Sequence, residues 1–469
     1  MNVAKDYNSV MARSNEIQKK ALGLDFNQYE SGNIAFDYER LMSDTSYSID
    51  EATKIEAETG VGNTPLLELR NMTALARKYA APNKGARIFV KDEMCNASGS
   101  FKARRAALAV HRAKELGYKG VMAATSGNYG AAVASQAAMR GLKCIVVQEC
   151  YDSHGVGQPE IIEKARKCEA LGAEVVQMTV GPELFYLFLS ILEDTGYFNA
   201  SLYSPFGIAG VETLGSEIAE QCRAQAGKYP EMVVCTHAGG GMVTGTARGL
   251  KKMGAEDTQV VAVSIELTGL HMASDKAFNK KSCTTGHTGF GIPHASNPDI
   301  SDTPRSAARP LRYMDRYVTV TQGEVMYVTE MLAQLEGLER GPAGNTSLAA
   351  VFSLAQELPQ DAIIVSSETE YTGAGKHIQA QLSFARENGI DIHFGDPRDE
   401  RPGTNLILPD NPGLIKHKEA DLDHMRRSLI RRAVKNVNIA QLNNDDLNFL
   451  VTETKTNIDF VKQVLNLME

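Results

Sequence analysis

GVMAATSGNYGAAVASQAAMRGLKCIVVQE, residues 120–149, decides the fold. It opens on a short apolar run, GVMAAT (120–125), and breaks at TSGNYG (125–130). An alanine-rich stretch with apolar residues at helical spacing follows, stops near Gly141, and gives way to a second apolar run, KCIVVQE (143–149). Strand, glycine-bearing loop, helix and strand make one crossover unit. Strands that are apolar at nearly every position are buried on both faces, which is the habit of parallel sheet.

The pattern extends in both directions. ARIFVK, AEVVQM, MVVCTH, QVVAVSIE and AIIVSS read as further strands, and FKARRAALAVHRAKELG and PEIIEKARKCEALG as further helices. The last places Pro159 in a first turn and stops at Gly172. The class is α/β, with ligands expected beyond the carboxyl ends of the strands. The first 60 residues read as a mostly helical extension. A second appendage begins near residue 386 with the Pro/Gly-rich FGDPRDERPGTNLILPDNPG and carries the basic stretch RRSLIRRAVK.

A chain of 469 residues has room for two to three domains at about 150 residues each. Its net charge of −8 argues against general nucleic-acid binding. Seven cysteines without CxxC spacing show no zinc framework and suit a reducing compartment, so no metal is expected. The N-terminus is polar and no apolar run reaches about 18 residues, so neither a secretory signal nor a membrane span is expected, and the expected location is the cytoplasm.

Four loops carry the chemistry. NASGSFKARRA (96–106) places Lys102 behind a small, hydroxyl-rich turn. Burial there would lower the amine's pKa and make it a nucleophile. TSGNYG offers Thr125, Ser126 and Gly127 at a helix N-terminus, an anion seat suited to a carboxylate, with Asn128 free to meet a hydroxyl. THAGGGMVTG (236–245) offers three successive glycines whose amides can wrap a phosphate. It lacks the lysine of a P-loop and the pattern of a dinucleotide site. AIIVSSETEYTGAGK (362–376) sets Ser366, Ser367 and Thr372 at or past a strand end, where a neutral hydroxyl can meet a ring nitrogen. Taken singly, these are a solvated lysine, a helix cap, a tight turn and capping hydroxyls. Together they suit one cofactor, pyridoxal phosphate.

Their order resembles the fold-type-II pyridoxal-phosphate enzymes, which include threonine synthase, threonine dehydratase, cysteine synthase and tryptophan synthase β. The resemblance covers roughly residues 60 to 385 and includes IAGVETLGSEI (208–218) and EGLERGPAGNTSLAA (336–350). It implies two open, mostly parallel sheet domains flanked by helices: a large cofactor domain from 61–100 and 205–385, and a small covering domain from 101–204. The N-terminal extension is 1–60, and the C-terminal extension, 386–469, is a candidate partner or dimer contact. The resemblance also makes Lys102 the Schiff-base lysine, with Asn128 on the ring hydroxyl and Ala238, Gly239, Gly240, Gly241 and Met242 on the phosphate. Thr372, or failing that Ser367, falls to the ring nitrogen, and Thr125, Ser126 and Gly127 to the substrate carboxylate. The chain departs from the family in Ala103, where aspartate is common, and in His237-Ala238, where Val-Gly is common.

The N-terminal extension resembles threonine synthase. His-Ala-Gly-Gly-Gly, SSETEYTGAGKH (366–377) and the C-terminal appendage together resemble the β subunits of 2-amino-4-oxopentanoate thiolases. That likeness implies cleavage of 2-amino-4-oxopentanoate by coenzyme A to acetyl-CoA and alanine, in ornithine degradation, through quinonoid and β-carbanion intermediates. It also implies a small α subunit and a homodimer of this chain within a hetero-oligomer. Cys283 and Cys95 are the candidate acyl-accepting thiols. A threonine-synthase-like elimination and replacement, or an amino-acid ammonia-lyase, are the alternatives. DSHGVG (152–157) matches a cobalamin-binding pattern at three fixed positions, which an ordinary loop also does.

Overall fold

The computed structural model describes residues 4–467 apart from 126, 182, 268–274, 276, 283–290 and 371–376, and leaves aside the side chains of 291 and 377–381. The strands among these residues are, in chain order, β1 (Leu66–Glu68), β2 (Arg87–Asp92), β3 (Gly120–Thr125), β4 (Lys143–Tyr151), β5 (Glu174–Thr179), β6 (Phe198–Asn199), β7 (Met232–Thr236), β8 (Gln259–Ile265), β9 (Arg316–Val320), β10 (Ile363–Glu368), β11 (Asp391–Gly395), β12 (Asn405–Pro409) and β13 (Lys418–Glu419). They form a seven-stranded sheet in the order β1-β2-β10-β7-β8-β9-β13, a four-stranded sheet β5-β4-β3-β6 and a pair β11-β12. Every pairing is parallel except β1 with β2 and β13 with β9, at the two ends of the larger sheet.

Apolar runs become the central strands because both faces of the sheet are covered. Phe89, Val233, Cys235, Ile363 and Val365 face a core shared with the helices Lys102–Glu115, Pro205–Ala226 and Gly241–Lys252. Ile88, Val90, Val234, Val261 and Ile364 face the other way, toward the helices Gln322–Glu336 and Thr346–Leu354. A fully buried aliphatic or aromatic side chain contributes about 1.5–3 kcal/mol, so these two layers dominate the stability of the body.

The helix Pro205–Ala226 is opened by Ser204, whose hydroxyl caps Gly207, and is closed by Gly227 at φ +77°. It lies unusually close to its neighbours. A Cβ on Gly210 would stand 2.2 Å from the carbonyl oxygen of Arg104, and one on Gly215 would stand 2.1 Å from that of Thr246. Gly210 therefore sets how deeply the helix that carries Lys102 is seated, and Gly215 does the same for the helix Gly241–Lys252.

The extensions pack on one another and on this body, where the Tyr38 hydroxyl donates to the Ala307 carbonyl at 2.9 Å. Asp446 accepts hydrogen bonds from the backbone N–H groups of Ile34 (2.9 Å) and Ala35 (3.2 Å). Glu453 pairs with Arg309 (2.6 Å) and Arg312 (2.7 Å). The stretch expected to be a Pro/Gly-rich connector contains the end of β11 and all of β12, and β13 extends the larger sheet. No helix among the described residues is long and apolar enough to cross a membrane.

Candidate active site

The turn before Lys102 is pinned from two sides. Gly99 turns at φ +75°. Ser100 forms an antiparallel bridge with Glu370, and the Phe101 N–H donates to the Thr369 carbonyl at 3.0 Å. This fixes the lysine beside the end of β10. Lys102 is partly accessible as a residue, but its amine lies deep, and burial lowers its pKa to about 8. Glu370 opposes that shift, Lys164 and Arg105 reinforce it, and Glu160 opposes it. The amine is thus close to the free-base form that attacks a carbonyl.

Two residues further on, Arg104 is fully buried in an ionic cluster. It makes a fork to Glu93, with Nε at 2.7 Å and Nη2 at 2.9 Å from the two carboxylate oxygens. A second fork reaches Glu217 at 2.9 and 2.8 Å, and Glu56 lies at 3.4 Å. Lys91 donates to the same Glu217 at 2.6 Å. Burial, offset in part by Arg104, raises the Glu56 pKa well above the carboxylate range, while Glu217 goes the other way: burial would raise it, and Arg104 and Lys91 bring it down to about 2. Arginine at 104 joins the lysine helix to the N-terminal extension, to the end of β2 and to the helix Pro205–Ala226.

At the end of β3, Thr125 Oγ1 accepts a hydrogen bond from the Gly127 N–H at 2.9 Å and holds the loop shut; Ser126 lies outside the described residues. Asn128 is 5% exposed, and its side-chain NH₂ has no partner, a donor left for an acceptor that the chain does not supply. Sequence reading missed Lys164. Its side chain runs against this loop, and a Cβ on Gly127 would meet its Cδ at 2.8 Å and its Nζ at 3.4 Å. Lys164 pairs with Glu160 and lies 3.6 Å from Glu370. Burial alone would discharge it, but the two carboxylates hold its pKa above the ordinary lysine value. Glu160 and Lys164 form an i, i+4 pair of the kind that marks an exposed helix face, and that camouflages a buried site.

The glycine loop follows β7. Gly240 takes φ +84°, and the helix Gly241–Lys252 begins immediately after it, with its first N–H groups unclaimed by the helix. A Cβ on Gly239 would stand 2.5 Å from the Tyr203 hydroxyl oxygen, so a side chain would fill the hollow. Ala238 and Met242 flank the three glycines. His237 is a packing residue: it is fully buried, edge-on to Tyr317 with ring centres 5.2 Å apart, and its carbonyl accepts from Ser264 at 2.6 Å.

The strand-end hydroxyls separate by face. Ser366 bonds Ser347 Oγ at 2.9 Å on the side of the helix Thr346–Leu354. Ser367 Oγ lies 4.0 Å from Cys235 Sγ, on the side of the glycine loop and the lysine helix. Thr372 lies outside the described residues, as does Cys283. Cys95 is exposed, yet burial of its thiol and the neighbouring Asp92, to which it donates at 3.5 Å, push its pKa up. Cys144, Cys168 and Cys222 are pushed to about 12 and Cys150 and Cys235 to about 11, all chiefly by burial. Every described cysteine is therefore held as a thiol. The DSHGVG stretch is a loop tied by Asp152, which accepts from the N–H groups of His154 (2.9 Å) and Val156 (3.0 Å).

These parts share the carboxyl ends of β2, β3, β7 and β10. Buried polar atoms without a hydrogen-bond partner occur there: the Ser98 and Ser100 hydroxyls, Asn128 NH₂, Arg105 Nε, the Thr236 hydroxyl and one carboxylate oxygen of Glu160. An amine poised for a carbonyl, a donor for a phenolic oxygen, an amide-lined hollow for an anion and a neutral hydroxyl fit a phosphorylated aromatic aldehyde.

Comparison with known proteins points the same way. The sequence profile of a family described as Pyridoxal-phosphate dependent enzyme matches residues 57–369. The 2-amino-4-ketopentanoate thiolase beta subunit of Acetoanaerobium sticklandii is 68% identical over 465 residues, 99% of each chain. Threonine synthase of Methanocaldococcus jannaschii is 27% identical over 318 residues, 63% of this chain and 70% of its own. Among solved structures, a threonine deaminase superposes with a TM-score of 0.52 at 28% identity, covering 68% of this chain and 96% of its own. O-ureido-L-serine synthase, at 21% identity, superposes with a TM-score of 0.53 over 70% of this chain and 93% of its own, a likeness of fold.

Proposed function

The chain belongs to the pyridoxal-phosphate dependent enzymes and, within them, to the 2-amino-4-ketopentanoate thiolase beta subunits, and we propose that it catalyses thiolysis of 2-amino-4-oxopentanoate by coenzyme A. The C3–C4 bond breaks. The sulfur of coenzyme A bonds to C4 and carries away the acetyl group as acetyl-CoA. C3 keeps the electron pair, takes up a proton in place of the one the thiol gave up, and becomes the methyl group of alanine.

Pyridoxal phosphate, when bound, serves as the sink for the electrons released at the amino acid's carbons. The chain's residues do the rest. Lys102 holds the cofactor and, once displaced by the substrate amine, moves protons at Cα and Cβ. Asn128 donates to the cofactor's ring oxygen, Ala238 to Met242 seat its phosphate, and Ser367 or Thr372 faces the ring nitrogen without a charge to give it. Thr125, Ser126 and Gly127 take the substrate carboxylate. Lys164, kept charged beside that loop by Glu160 and Glu370, adds the countercharge. Every described cysteine is held as a thiol, which favours direct passage of the acetyl group to coenzyme A over a stop on one of them; Cys283, outside the described residues, remains the candidate for an acetyl-cysteine route. The partner is a small α subunit, the chain forms a homodimer within that assembly, and the C-terminal extension is the surface offered to one or the other. The enzyme works in the cytoplasm.

Identity of 68% along 99% of both chains is the observation that supports this reading. Its test is acetyl-CoA formation from 2-amino-4-oxopentanoate and coenzyme A by the cofactor-loaded chain with its α subunit. Production of acetyl-CoA and alanine in equal amounts is expected. Release of phosphate from O-phosphohomoserine, or of ammonia from an amino acid, without acetyl-CoA would overturn it. Lys164→Met is expected to raise the KM for the amino acid about tenfold or more, with cofactor affinity unchanged. An unaltered KM would remove Lys164 from carboxylate binding.

A further inference from the structure

We infer that Arg105 is a side-chain ligand of the cofactor's phosphate, supplying a cation to a seat otherwise made of backbone amides. This assignment rests on the cofactor reading above. Arg105 is 3% exposed, one residue beyond the ionic cluster of Arg104, but it points elsewhere. No carboxylate pairs with it among the described residues. Its Nη1 donates to the Leu202 carbonyl at 3.3 Å, its carbon Cζ stands 5.4 Å from the centre of the Phe101 ring, and its Nε has no partner. A guanidinium carries five donors in a planar fork. Burying one on a single carbonyl and an aromatic face is costly unless an anion arrives.

The place where that anion would sit is defined by Gly241. A Cβ on Gly241 would stand 1.8 Å from Arg105 Nη2 and 2.6 Å from Cζ. Arginine therefore lies directly on the backbone of the first helical residue after the glycine turn. The helix Gly241–Lys252 begins there with free N–H groups and the positive end of its dipole. An anion at this N-terminus meets amides from one side and the guanidinium from the other, the arrangement that favours planar recognition of phosphate. Burial without a carboxylate brings the guanidinium down to about 10, which leaves it charged at neutral pH and short of a counter-ion.

Neither neighbour alone explains the residue. Aromatic stacking on Phe101 and one carbonyl contact would be served as well by an uncharged side chain of similar length. The glycine at 241 would have no reason to make room for an arginine whose role was only to fill space.

The test compares pyridoxal phosphate with pyridoxal, which has the same aldehyde and ring but no phosphate, on the apo-protein of wild type, Arg105→Ala, Arg105→Met and Arg105→Lys. Binding is read from the yellow absorbance on titration, and folding from thermal denaturation of each apo-protein. Arg105→Met keeps most of the packing and discards the charge, so it decides the question if the alanine variant is unstable. Loss of at least about tenfold in affinity for pyridoxal phosphate, with pyridoxal binding unchanged and partial recovery in the lysine variant, is the expected result. Inorganic phosphate should also raise the melting temperature of wild-type apo-protein and fail to do so in the methionine variant. Equal loss of both aldehydes, or a pyridoxal phosphate affinity within twofold of wild type, would overturn the assignment and leave the cofactor reading intact. A wild-type protein that never turns yellow with pyridoxal phosphate would sink both.

Discussion

Replacing Lys102 by alanine is expected to leave a folded, colourless protein and to lower acetyl-CoA formation by at least about a thousandfold. One side chain is asked to do two things there. It forms the covalent anchor, and it moves protons at the reacting carbons, each a contribution of several powers of ten. The pKa of about 8 that burial imposes on the amine adds a pH signature. Only the unprotonated amine attacks an aldehyde, and below its pKa that fraction falls tenfold per pH unit. Stopped-flow uptake of pyridoxal phosphate by apo-protein should therefore slow about tenfold between pH 7 and 6 and level off above pH 8. A rate independent of pH from 6 to 8, or a yellow Lys102→Ala protein, would remove the lysine from its role.

Arg104→Met is expected to cost about 3–5 kcal/mol of stability, because breaking a buried ion pair leaves its partners charged and unpaired. The partners here are Glu93 and Glu217, two carboxylates each gripped by a two-pronged contact, and Lys91 alone remains to neutralise them. Domains commonly have only about 5–15 kcal/mol to lose. Arg13→Ala, which breaks the partly exposed pair with Glu193, is the control, expected to cost under about 1 kcal/mol. Urea unfolding of both variants measures the difference. A loss for Arg104→Met no larger than the control's would mean that the cluster is not what anchors the lysine helix.

What the sequence discloses follows from what each residue's partners are. The seven apolar runs recognised as strands are β2, β3, β4, β5, β7, β8 and β10, where burial on both faces leaves a continuous apolar record. β1, β6 and β13 have three, two and two residues and carry no pattern to read. β9 begins with an arginine and mixes Tyr and Thr with its valines. Helix ends at Pro159, Gly141 and Gly172 are local events and are legible locally. Lys102 and Asn128 are legible as candidates because small loop residues announce them. Arg105 and Lys164 are not, because the neighbours that place them at the site, Leu202 and Gly241 for one and Gly127 and Glu370 for the other, lie far away in the chain. In the sequence, ARRAAL looks like a helix with a wet face, and Glu160–Lys164 looks like a surface pair.

The strand order also governs how the chain can be made. β10 lies between β2 and β7, yet the ribosome releases it last of the three. Until Ile363–Glu368 emerges, β2 and β7 of the nascent chain present open edges, which other chains can pair with. The turn before Lys102 also waits, since its backbone partners are Thr369 and Glu370. Pairings between such distant segments form slowly. The cofactor seat at Lys102 is therefore incomplete until Thr369 and Glu370 have emerged, and the half-made sheet is open to its neighbours until then.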